Sequence, residues 1–104
     1  MTNSFKIKHK EVDGETDITL SGQLTINVII KLVDEIKDLL KNASNVNIHV
    51  KEVENMDLTF IQMLFAIKNS GKKENFKVKV DMDLSEELTL LIKNAGFYNT
   101  LNLN

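Results

Sequence analysis

The sequence predicts an α/β fold of two layers, a mixed four- to five-stranded sheet with all its helices on one face. Three observations carry this. The chain opens with two alternating stretches joined by Asp13-Gly14, then passes between helical and extended patterns in the order β-β-α-β-α-β-α. Each helical stretch has one apolar side. The strand stretches alternate instead of running apolar throughout, which leaves one face of the sheet wet. Strands joined through helices run parallel with right-handed crossovers, and the opening hairpin adds an antiparallel strand, so the sheet is expected to be mixed.

Phe5 and Ile7 alternate with Lys6 and Lys8, a strand pattern with one apolar side. Asp13-Gly14 is a strong signal for a two-residue hairpin turn. Thr16 to Leu20 alternates again, and Ser21-Gly22 is read as the end of that strand. Leu24 to Asn42 is the longest periodic segment. Within it Ile29, Leu32, Val33, Ile36, Leu39 and Leu40 recur at helical spacing, with Lys and Asp mostly on the other side. Thr25 or Asn27 is expected to cap this first helix. Val46, Ile48 and Val50 then alternate with Asn47 and His49 in a third strand.

The second helix is expected from Leu58 to about Ser70, with Phe60, Ile61, Leu64, Phe65 and Ile67 inward and Leu58 and Met63 toward its edges. Gly71 is read as its C-cap and Lys72-Lys73-Glu74-Asn75 as a polar loop. Phe76, Val78 and Val80 alternate with Lys77 and Lys79 in a fourth strand. Asp83 or Ser85 is expected to cap a third helix, with Glu86 and Glu87 in its first turn and Leu88, Leu91, Ile92 and Ala95 inward, followed by Gly96. The tail from Phe97 to Leu103 carries Phe97, Tyr98, Leu101 and Leu103, too apolar to hang free, and is expected to pack back onto the domain.

Composition narrows the functions. A chain of 104 residues fits one domain, covering 1–104. Net charge is −2, and all 13 basic residues are Lys. Without the Arg guanidinium fork the chain lacks the side chain best suited to bidentate phosphate recognition, so no nucleic-acid partner is expected. The absence of Cys excludes disulfides, thiol nucleophiles and thiolate metal sites. His9 and His49 have no companions at metal-ligand spacing, so no metal and no cofactor are expected. There is no apolar run of about 18 residues and no signal-peptide pattern, which leads to the expectation of a cytoplasmic protein without membrane insertion.

The stretch from Asn55 to Gln62 concentrates the chemistry. It is a strand-to-helix turn with Asp57 and Thr59 at the helix mouth. The first N–H groups of a helix lack intrahelical partners, and side-chain oxygens or bound anions satisfy them. Thr59 is therefore either a cap or a phosphate acceptor. Thr59-Phe60-Ile61-Gln62 fits a capping box, and Asp57 is itself a good cap.

Three short stretches, Ser21-Gly22-Gln23-Leu24-Thr25, Asn55-Met56-Asp57-Leu58-Thr59 and Ala95-Gly96-Phe97, fall in the order and spacing of a known module. Through them nearly the whole chain resembles the STAS domain, shared by sulfate transporters and anti-sigma factor antagonists. The resemblance implies a two-layer STAS-like fold. It also implies a bacterial regulator of transcription that binds a protein partner, an anti-sigma factor or other kinase-like regulator, with Thr59 as the residue that partner phosphorylates. Asp57, Leu58, Thr59, Phe60 and Met63 are then the expected partner-binding residues, flanked by Gly22 and Thr25, in a monomer or weak dimer. Leu58 stands where the family carries a first hydroxyl, and Phe60 where it carries a glycine. An alternative is a non-phosphorylated STAS scaffold subunit in a chemotaxis, signalling or lipid-transport complex. A third reading, of a different class, is a small enzyme using Asp57 as a base. The sequence supplies no nucleophile pair, Gly-rich phosphate loop or metal cluster to go with it, so no catalytic residue is assigned and no enzyme is expected.

Overall fold

The computed structural model describes residues 4–41 and 43–94. Ala95, Gly96 and the tail from Phe97 to Leu103 lie outside the described residues, as does Asn42. The elements follow the expected order: β1 (Phe5–Val12), β2 (Glu15–Leu24), α1 (Ile29–Leu40), β3 (Asn45–Met56), α2 (Leu58–Glu74), β4 (Lys77–Met82) and α3 (Glu86–Asn94). Among the described residues, four strands form one sheet in the order β1-β2-β3-β4. β1 is antiparallel to β2, and β2, β3 and β4 are mutually parallel, so the sheet is mixed.

The hairpin closes as its sequence demands. Asp13 and Gly14 both have positive φ, 52° and 82°, and Val12 pairs with Glu15 across the turn. Two successive left-handed residues match the right-handed twist of the flanking strands. β2 does not stop at Ser21-Gly22 but runs on to Leu24. Gly22 sits at φ 87°, and its pairing with β3 shifts on either side of it. β3 supplies the extra residues of this bulge, including Glu52 at φ 50°. A side chain at position 22 would stand 2.9 Å from the Ser4 carbonyl, so only glycine passes here.

One sheet face carries the core. Ile18, Leu20 and Leu24 of β2 and Val46, Ile48 and Val50 of β3 are buried, and their alternating neighbours are more exposed. Leu32 and Ile36 of α1, Phe60, Ile61, Leu64 and Ile67 of α2, and Ile92 of α3 complete the same cluster. The other face is polar. Lys6, Lys8 and Lys10 project from it on β1, Asp17 and Asn47 bond at 2.9 Å in its middle, and Lys77 and Lys79 line β4. No helix among the described residues is long and apolar enough to cross a membrane.

Two helix boundaries differ from the sequence expectation. Gly71 does not end α2; the helix continues through Lys72, Lys73 and Glu74 to a left-handed C-cap at Asn75, φ 63°, whose N–H donates to the Gly71 carbonyl. Asn tolerates that conformation nearly as well as glycine, and the two lysines complement the dipole of the last turn. Gly71 is instead buried because α2 presses there on β4. A Cβ would stand 2.7 Å from the Phe76 carbonyl oxygen. Gly71→Ala should therefore destabilise the protein. Overpacking costs about 1–3 kcal/mol, against the roughly 1 kcal/mol that alanine gains over glycine inside a helix. A denaturant melt showing a more stable alanine variant would refute this contact. At α1, neither Thr25 nor Asn27 caps. Val28 occupies the N-cap position without a side-chain bond, and a turn from Thr25 to Val28 leads into the helix. At α3 the cap is Ser85, whose Oγ accepts from the Leu88 N–H at 3.2 Å, while the Asp83 N–H bonds to the Val50 carbonyl.

Candidate functional site

The carboxyl ends of β2 and β3 lie side by side, because Leu24 pairs with Met56 in parallel register. Both strands hand over to helices at this end. A single residue, Asp57, separates β3 from α2, in extended conformation at φ −129° and ψ 178°. Its Oδ1 accepts from the N–H groups of Thr59, 3.1 Å, and Phe60, 3.3 Å. Its Oδ2 accepts from the Ile26 N–H at 2.9 Å, across 31 residues of chain. Its own N–H donates to the Leu24 carbonyl at 3.3 Å. The carboxylate thus does two jobs at once. It caps α2 and straps the β2–α1 turn to the β3–α2 turn.

Asp57 thereby takes the role that a capping box starting at Thr59 would have given to threonine. Thr59 is the second residue of α2, past the cap position, and its N–H is already bonded to Asp57. Its side chain is half-buried, and among the described residues its hydroxyl has no hydrogen-bond partner. A cleft of about 540 Å³ opens beside the strap, lined by Gln23, Thr25, Ile26, Asn27, Asn55 and Asp57.

The structure divides the expected partner-binding residues. Asp57, Thr25 and Leu58 surround the two turns, with Leu58 39% exposed. Thr59 and Met63 line a groove between α1 and α2, Met63 nearly buried. Phe60 is 0% exposed, so it belongs to the core and offers a partner no surface. Gly22 is buried within β2 at the bulge, where it serves the backbone path. The apolar surface at this end comes instead from Ile26, 60% exposed, and Ile30, 78% exposed, together with Leu58. Ile26 and Ile30 escaped the sequence reading, although a signal existed. Ile30 lies off the stripe formed by Leu32, Val33 and Ile36, Ile26 falls in the turn before it, and exposed apolar residues gathered at one end mark a contact surface.

No group of three or more His, Cys, Asp or Glu side chains able to hold a metal occurs among the described residues. His49 and Asp81 approach to 3.5 Å, but on the open face of the sheet, the side away from the helices.

A family model described as Mlab, STAS domain matches residues 7–96 of the chain. Among curated proteins, none matches it.

Proposed function

The chain belongs to the STAS family, and from that premise we propose that it is a regulatory module whose binding to an anti-sigma factor or similar kinase-like protein is switched by phosphorylation of Thr59. STAS domains generally mediate protein interactions and are generally not enzymes. The observation that carries the reading is the hydroxyl of Thr59, unbonded among the described residues, at the mouth of α2, at the end of the sheet where Ile26, Ile30 and Leu58 are exposed. Unphosphorylated, this end of the molecule presents apolar contact and a neutral hydroxyl. Phosphate adds about −1.5 to −2 charges at pH 7. It is compatible with the positive end of the α2 dipole, so the helix survives. It also competes with Asp57 for the same N–H donors and repels its carboxylate. The strap to Ile26 then loosens, and the apolar patch changes shape as well as charge.

The alternative is a scaffold subunit with Thr59 unmodified. It is favoured by Leu58, whose exposed side chain supplies contact at a place where the family carries a hydroxyl.

Thr59→Glu should abolish partner binding while the protein stays folded, and Thr59→Ala should bind constitutively. Thr59 provides no cap, so both variants should melt within about 0.5 kcal/mol of the parent, as surface substitutions do. Affinity for the kinase-like partner is measured alongside phosphate incorporation from ATP. Equal affinity of all three folded proteins would remove the switch and leave the scaffold.

A further inference from the structure

The helices enclose a second apolar surface that meets the loop site at Thr59 and Met63. α1 and α2 each return antiparallel to the parallel strands they connect, so they run side by side in one direction. Between them lies an open groove of about 410 Å³. Half-buried Val33 and Leu40 of α1 and exposed Ala66 of α2 flank it, and Ile36, Met63 and Ile67, which belong to the core, form its floor. Thr59 and Gln62 stand at the end where α2 begins, and Lys37 and Ser70 stand further along. None of the lining residues is acidic. Lys37 has no ion-pair partner among the described residues, and Asp34, one turn earlier, does not line the groove.

We propose that this groove receives an amphipathic helix of a partner protein, about three turns long, with aliphatic side chains on one face and acidic side chains along its flank. The 12 residues of α1 span about 18 Å at 1.5 Å per residue, which matches three turns of a third helix laid between two parallel ones. Aliphatic anchors at i, i+4 and i+7 fall against walls that themselves repeat at that spacing. The unpaired ammonium of Lys37 on an otherwise apolar wall selects an acidic flank over a basic one by charge complementarity. Lys37, in the last turn of α1, also complements the helix dipole; that role accounts for the cation but not for the apolar trough between the helices. The proposal rests on the chain being a protein-binding module, not on phosphorylation. It adds a link to Thr59, because phosphate there would stand at the groove's end and repel an acidic helix.

The test uses the full chain and labelled synthetic peptides of about 15 residues, long enough to hold helix when docked. Their leucines follow helical spacing and their flanks carry either Glu or Lys. Fluorescence anisotropy should show the Glu peptide binding about tenfold more tightly than the Lys peptide. Lys37→Glu should erase or invert that preference. Ala66→Trp, which fills the groove from an exposed wall position, should remove binding of both peptides, with circular dichroism melts confirming that each variant is folded. Absence of Glu-peptide binding, equal affinity for the two peptides, or binding that survives Ala66→Trp each overturns the proposal. Self-association in sedimentation that Ala66→Trp abolishes assigns the groove to a second copy and overturns it too. Failure of the Thr59 switch leaves the peptide result standing, and failure of the peptides leaves the Thr59 measurement standing.

Discussion

Phe60→Ala should destabilise the protein by about 3–5 kcal/mol, the range for truncating a buried aromatic ring. The ring is fully buried, with 0% exposure, in a cluster that includes Leu24, Leu32, Ile36 and Leu64. Its removal takes away the ring's transfer free energy and leaves a cavity that α2 cannot collapse into, because the Asp57 cap fixes the first turn. For a domain of this size the loss lowers Tm by on the order of 20 °C, and it consumes a large share of a total stability of about 5–15 kcal/mol. Urea melts of the parent, Phe60→Ala and Phe60→Leu decide the matter, with the leucine variant falling between. A cost under about 1 kcal/mol, the size of a surface change, would return Phe60 to the partner surface. The consequence for binding experiments is direct: a partner-binding defect in Phe60→Ala reports unfolding, whereas one in Leu58→Ala or Ile26→Ala reports contact.

Asp57→Ala should cost roughly 2–3 kcal/mol. Loss of an N-cap costs about 0.5–2 kcal/mol, and a hydrogen bond to a charged acceptor contributes about 1.5–3 kcal/mol, here at the low end because the bond to Ile26 is solvent-exposed. Asp57→Asn separates the two jobs. Asparagine caps a helix about as well as aspartate, but it offers one acceptor oxygen where the carboxylate offers two. It keeps α2 and points an amide donor at the Ile26 N–H, so it should recover about half of the loss while freeing the β2–α1 turn. Hydrogen exchange at Ile26 reads the strap itself. Protection there should fall in both variants. Unchanged protection at Ile26 in Asp57→Asn would mean that the two turns are held by something other than this carboxylate.

Much of this architecture was legible locally. Asp13-Gly14 announced its turn, and the alternation of Val46, Ile48 and Val50 announced a one-faced strand. What stayed hidden involved partners distant in sequence. Gly71 read as a stop because glycine usually ends helices. Yet it continues the stripe of Phe60, Leu64 and Ile67, and the reason for a glycine is the carbonyl of Phe76 behind it. Gly22 read as a strand end because nothing in β2 reveals that β3 carries a bulge beside it. Asp57 was found as a cap, but its second oxygen answers an N–H 31 residues away, which no local pattern encodes. Phe60 reads as inward from its spacing to Leu64 and Ile67, as the structure has it; only the resemblance put it on a partner surface as well.

Among the described residues, β1 and β4 are the outer strands of the sheet, and both carry rows of lysine on the open face, at 6, 8 and 10 on one and at 77 and 79 on the other. An outer strand is a template on which another chain can extend the ladder. Pairing of β1 with β1 between two copies sets the row at 6, 8 and 10 against itself, and like charges directly opposite disfavour it; on β4 the row ends in Asp81, so only some registers oppose lysine to lysine. The lysines on both rims disfavour such additions in the registers that oppose them. Concentrated salt, or acylation of these lysines, should therefore favour edge-to-edge association of the sheet.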